Sequence, residues 1–196
     1  FLEDSTIPDV YYVDFSGDSL LVAELFPSVE RAIACFERFR SEHDLLRDVP
    51  FWLFVDWAEV ETVGESAAVN ALYYGALRAA AKLAEASGHI DKEKEDEALA
   101  GRIRDGMQRL LWDDQKSCFR DGWKDGELSR NVSEQANCWG VAFGAVPDET
   151  TDIVLESLFD RKEATVRTGT PYFGFYVLSA LSKGGRHEHA LQYIRE

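Results

Sequence analysis

Apolar residues recur along most of this chain with the three-and-four spacing of helices that bury one face. Over residues 66–87, Val69, Leu72, Tyr73, Ala76, Leu77, Ala80, Leu83 and Ala84 fall on one stripe, and Gly88 follows as a left-handed stop. Residues 19–43 repeat the pattern with Leu21, Leu25, Val29, Ile33, Phe36 and Phe39, and Pro27 is expected to kink that helix or split off its first turn. A third helix is predicted over 91–112, with Leu99, Ile103, Met107, Leu110 and Leu111 inward and the charge run Asp91 to Glu97 outward as a solvated face. Three more open on clear start signals. One spans about 133–145, capped by Asn131 or Ser133. The next spans about 150–161, after Pro147 and with Thr150 or Thr151 as cap. The third spans 171–183, with Thr170 as cap and Pro171 at the first position. A last helix begins near Arg186, and a short one precedes Gly17.

The links between these helices alternate in length. Residues 16–18, 88–90, 146–149 and 183–185 are short; 44–65, 113–132 and 162–169 are longer. Consecutive antiparallel helices then gather the longer links at one end of the stack and the tight turns at the other. Helix N-termini near Ser66, Ser133 and Thr170 point to the long-link end. Trp52, Trp57 and Trp123 fall within long links, Trp112 lies where a helix enters one, and Trp139 lies in the second turn of a helix leaving one. All five tryptophans therefore sit on or near one half of the molecule. Core packing alone scatters such rings along the helices, whereas loops carry function, and an aromatic face stacks on the apolar face of a sugar ring. That these rings only plug the hairpin ends stays open as the alternative.

Composition narrows the classes. With 196 residues and 45% hydrophobic content, residues 1–196 read as one globular unit rather than a disordered chain. The net charge of −15, from 21 basic and 36 acidic residues, argues against a nucleic-acid or anionic-membrane partner. No stretch reaches the ~18 apolar residues of a membrane span, so the expectation is a soluble protein of unassigned compartment. Cys35, Cys118 and Cys138 match no zinc or redox spacing. His43, His89, His187 and His189 are not set with acids at metal-ligand spacing, so neither metal nor cofactor is expected. The chain starts at Phe1 and stops at Glu196 inside a helical pattern, which suggests a segment of something larger.

Particular stretches then point to a family. The run F-V-D-W at 54–57 and the alanine-rich N-A-L-Y-Y-G-A-L-R-A-A-A-K-L-A at 70–84 resemble the catalytic domain of bacterial α-L-rhamnosidases, glycoside hydrolase family 78. F-S-G-D-S-L-L at 15–21, L-L-W-D-D at 110–114, V-S-E-Q-A-N at 132–137 and T-G-T-P-Y-F-G-F-Y-V-L-S-A-L at 168–181 follow in the family's order. The resemblance covers nearly the whole chain through an ordered set, with no single decisive motif. It implies an all-α fold, part of an (α/α)6 six-hairpin toroid with long aromatic loops at one end. It further implies hydrolysis of terminal α-L-rhamnosyl groups by inversion, in which an acid and a base carboxyl group stand ~6.5–9.5 Å apart. The family's acidic motif has no match between Phe1 and Asp56, and its general base would fall past Glu196. Both catalytic carboxylates are therefore expected outside this chain, which supplies part of the sugar-binding wall.

On that wall the resemblance puts Trp57 against the rhamnose ring. Asp56 beside it serves either sugar hydroxyls or loop amides. Gln135 and Asn137 open a helix at the active end and reach a hydroxyl or satisfy helix-end amides. Tyr172 lines the cleft or the core. Trp52 is a weaker candidate, in a short strand facing the core. Glu59 and Glu61 read as solvated, and Glu134 stands where the family often has an amide. The implied partners are rhamnose-containing glycosides or oligosaccharides, together with the remaining barrel segments or another chain to close the fold. Alternatives are another (α/α)6 sugar enzyme, glucoamylase-like or an epimerase; a non-catalytic carbohydrate-binding segment; and a protein-binding helical array, against which no repeated pattern is found.

Overall fold

Three hydroxyl side chains start the helices that organise the molecule. In the computed structural model, which describes residues 15–16, 19–51 and 53–195, Ser66 Oγ accepts a hydrogen bond from Val69 N, Ser133 Oγ from Ala136 N and Thr170 Oγ1 from Phe173 N. Each caps a helix whose first amides would otherwise lack partners. The helices are α1 (Ser19–Glu37), α2 (Ala67–Ala86), α3 (Ile90–Leu110), α4 (Glu134–Phe143), α5 (Asp148–Leu155), α6 (Pro171–Lys183) and α7 (His187–Arg195). Helix α2 packs on α1, α3 and α4, and α4 packs on α6. The hairpins α2–α3, α4–α5 and α6–α7 thus stand side by side, with α2, α4 and α6 in a central row. The alanine stripe of α2 lets its neighbours approach closely, so that Ala67, Ala71, Ala76, Ala80 and Ala84 are buried. The core runs from Phe26 and Ile33 through Leu77 and Ile103 to Trp139, Phe173 and Leu181.

Gly88 is left-handed at φ 79° where the pattern asked for a stop, and Gly144, inside the stretch expected to be helical, ends α4 early with φ 88°. The long links are more ordered than plain loops. Strand β1 (Glu65–Ser66) pairs antiparallel with β4 (Gly122–Lys124), β4 pairs with β5 (Glu127–Leu128), and β2 (Trp112–Asp113) pairs with β3 (Cys118–Phe119). These short ladders tie the second long link to the end of the first.

Several expectations change. Helix α1 stops at Glu37, because residues 39–47 form a tight antiparallel turn in which Ser41 N donates to Leu45 O and Asp44 takes a positive φ of 64°. Pro27 does not split off a first turn; it lies on the exposed side of a helix that runs unbroken through it. Helix α5 begins at Asp148, and Thr150 and Thr151 donate back to Pro147 O rather than capping. It ends in a π-helical turn, Glu156–Asp160, inside which Ser157 is buried and donates to Lys116 O. In the charge run on α3, Asp96 is buried, because the helical period carries it onto the packed face. Trp52 lies outside the described residues, and of the short helix expected before Gly17 only Phe15 and Ser16 are described, both helical. Among the described residues, no helix is long and apolar enough to cross a membrane.

Candidate functional site

The N-termini of α2, α4 and α6 meet the long links at one end of the stack, and a buried carboxylate joins the last two to the first long link there. Asp56 Oδ1 accepts hydrogen bonds from Trp57 N at 2.8 Å and Thr170 Oγ1 at 2.6 Å. Its Oδ2 accepts from Gln135 Nε2 and Gly169 N, each at 2.8 Å. One side chain therefore links the first long link, the first turn of α4 and the cap of α6. A carboxylate offers about four acceptor sites, and here four protein donors occupy them.

The next residue points the other way. Trp57 is 76% exposed, with its ring edge-on to Phe54 at 5.5 Å between centroids. Phe54 lies 6.1 Å from Tyr172, which is itself exposed and meets Tyr176 at 5.9 Å. Phe54, Trp57 and Tyr172 thus form an open aromatic platform at the long-link end. Leaving a large indole mostly exposed to water forgoes the stabilisation its burial would give. Phe54 is the member the sequence reading did not single out, although it opens the F-V-D-W run.

The remaining candidates are held by the protein. Asn137 is buried, its Oδ1 accepting from Phe119 N at 2.8 Å and its Nδ2 donating to Phe119 O and Ser133 O at 3.0 Å each. The amide imitates a strand partner for Phe119. Gln135 is buried as well; its Nε2 also donates to Arg167 O, and its Oε1 has no partner among the described residues. Glu134 is buried, with Oε2 accepting from Thr168 N and Thr168 Oγ1. It borders a cavity of about 410 Å³ shared with Lys162, Arg167, His189 and Tyr193.

Of the two loop acids expected to be solvated, Glu59 is exposed. Glu61 is not: its Oε1 accepts from Ser129 Oγ at 2.7 Å and Asn131 Nδ2 at 2.9 Å, which pins the first long link to the second. Asp121 is fully buried beneath them. Burial pushes its carboxyl up in pKa, against the opposing pull of the Ser133 and Glu61 donors. His43 is drawn into an ion cluster. Its Nδ1 lies 2.8 Å from Glu65 Oε1, which Arg47 also engages through Nε at 2.8 Å. Burial alone would raise the Glu65 pKa, but the hydrogen bonds from Arg47 and His43 hold it below the usual value.

The tryptophans separate into two groups. Trp139 is buried in the core among Phe143, Phe173 and Tyr176. Trp112 packs on Phe119 and donates to Asp114, and Trp123 is half-buried in β4. Among the described tryptophans only Trp57 stands free of cover. Among the described residues no group of His, Cys, Asp and Glu side chains is arranged to hold a metal ion.

Comparison with known proteins bears on this geometry. The sequence profile of the mannosylglycerate hydrolase MGH1-like glycoside hydrolase domain matches residues 23–173. Among solved structures, 95% of the chain superposes on a glycoside hydrolase family 78 rhamnosidase of Bacillus sp. GL1, with a TM-score of 0.86 and 25% identity. The same share superposes on a rhamnosidase from Klebsiella oxytoca with rhamnose bound, with a TM-score of 0.82; at 21% identity that likeness speaks for the fold. The chain spans 20% of the first protein and 35% of the second. No curated protein sequence matches it. The architecture is thus part of an (α/α) glycosidase barrel, as the ordered motifs implied.

Proposed function

The chain belongs to the mannosylglycerate hydrolase MGH1-like glycoside hydrolase domain family, and from that premise we propose that it supplies part of the sugar-binding cleft of an α-L-rhamnosidase. The observation that carries this reading is the exposed indole of Trp57, set beside Phe54 and Tyr172 at the long-link end. Rhamnose has a methyl group and an apolar ring face, and both suit an uncovered aromatic surface. The likeness to the family 78 rhamnosidase of Bacillus sp. GL1 supports the choice of sugar.

The reaction is hydrolysis with inversion, and its acid and base come from the remaining barrel segments. In support, Asp56 and Glu61 on the first long link and Glu134 at the start of α4 each hold protein donors, and Asp121 is buried, which leaves these four poorly suited to moving a proton to or from a substrate. This chain contributes binding and orientation, which lower the barrier only once the catalytic pair is in place. Replacing Trp57 by Ala should weaken L-rhamnose binding by roughly 1–3 kcal/mol, the scale of a buried aromatic contact. Because the ring is exposed, thermal stability should stay the same. Fluorescence titration with L-rhamnose tests this, and an unchanged affinity would sink the role of the platform.

A second reading follows from the family's own description. Mannosylglycerate carries a carboxylate, and Lys162 and Arg167 flank the cavity beside Glu134. The net charge of −15 weighs against an anionic substrate. Parallel hydrolysis assays of the complete barrel that contains this chain, on an aryl α-L-rhamnoside and on mannosylglycerate, separate the two, and turnover of the second alone would replace the rhamnosidase reading.

A further inference from the structure

Asp56 is buried, yet its neighbour in the chain is the most exposed part of the platform. The platform also comes from two separate pieces of chain, with Phe54 and Trp57 on the first long link and Tyr172 on α6. Asp56 is the side chain that joins those pieces, through Trp57 N on one side and Gly169 N and Thr170 Oγ1 on the other. Thr170 has a double role, since the same oxygen that donates to Asp56 accepts from Phe173 N to start α6. The backbones meet closely at this point. A Cβ built on Gly169 would stand 2.2 Å from Trp57 O, so only glycine lets the third long link seat against Trp57.

We infer that Asp56 is a positioning residue for sugar recognition, holding the Trp57 and Tyr172 halves of the platform in register without itself touching the sugar. This rests on the platform reading proposed above. All four hydrogen bonds run from donors to the carboxylate, so an amide at this position sets donor against donor wherever its nitrogen falls. A carboxylate is needed on geometric grounds, and its negative charge strengthens each bond. A sugar hydroxyl finds no vacant lone pair on it.

The test separates the link from the helix cap. Thr170→Asp keeps an acceptor that caps α6 well but replaces the hydroxyl donor with a second carboxyl group, which sets like charge against Asp56. Thr170→Ser keeps both functions. Gln135→Met removes another side-chain donor to Asp56 and serves as the probe if Thr170→Asp does not fold, as judged by thermal melting. Two readouts are taken on the full chain: affinity for L-rhamnose, and the indole N–H resonance of Trp57, assigned with Trp57→Ala. Thr170→Asp should weaken L-rhamnose binding about tenfold, the worth of one hydrogen bond to a charged group, and should shift and broaden the Trp57 resonance. Thr170→Ser should match the parent in both. Folded Thr170→Asp or Gln135→Met protein with the parental resonance and affinity overturns the inference while leaving the sugar reading intact. If Trp57→Ala binds L-rhamnose as the parent does, or the parent does not bind it, the sugar reading fails. The resonance then decides alone whether Asp56 positions Trp57.

Discussion

Replacing Asp96 with Asn should stabilise the protein at neutral pH. The carboxyl lies on α3, 4% exposed, beside a cavity of about 330 Å³ between α1, α2 and α3. It accepts no hydrogen bond among the described residues, and the nearest cation, Lys92 Nζ, is 4.0 Å away. Glu30 and Glu37 from α1 and Glu95 from α3 border the same cavity. Burial, helped by those carboxylates and opposed by Lys92, pushes its pKa from 3.8 up to about 6. The folded state thus binds this proton more tightly than the unfolded chain does. Stability from that proton is fully present below about pH 4 and is lost as pH rises through about 6. The full displacement is worth ~3 kcal/mol at neutral pH. A buried amide without partners returns about 1–2 kcal/mol of that. The net gain expected for Asp96→Asn at pH 7.5 is therefore about 1–2 kcal/mol, or roughly 2–8 °C in Tm for a domain of this size. At pH 4 the parent carries a neutral carboxyl and the gain should vanish. Thermal melts of both proteins at pH 4 and pH 7.5 check this. A lower Tm for the variant at pH 7.5, or an equal difference at both pH values, refutes the reasoning.

Glu65→Gln should act in the opposite direction. It strips the charge from a buried acceptor held by Arg47 and His43 and should cost about 2–4 kcal/mol at pH 7. Because the Glu65 pKa is depressed, that contribution is present above its unfolded value of about 4.5 and fades as pH falls below it, so melts of parent and variant should converge in acid. Gly169→Ala forces a Cβ into the Trp57 carbonyl and should lower stability by about 1–3 kcal/mol in urea unfolding, with a visible change in Trp57 fluorescence.

Helices, caps and the alternation of links were legible in the sequence because each is written in residues close together in the chain. Ser66, Ser133 and Thr170 cap amides three positions ahead, and Gly88 follows a helix end by its own conformational freedom. The family was legible too, since its motifs keep their order along the chain. Local pattern could not say what lies against a residue from far away. Asp56 reads as a loop acid that serves either sugar hydroxyls or loop amides, and only the fold, which brings Gly169 and Thr170 to it across more than one hundred residues, decides for the protein's own donors. Glu61 reads as solvated until Ser129 and Asn131 arrive from the second long link. Asp96 belongs by composition to a charged surface, and the docking of α1 is what buries it. The tryptophans make the same point, because their spacing put all five near one end while packing chose Trp139 for the core and Trp57 for water. Periodicity and capping are short-range properties that a sequence states directly. Burial and hydrogen-bond partnership at this site depend on which distant segments share a surface, and that is decided only when the hairpins pack.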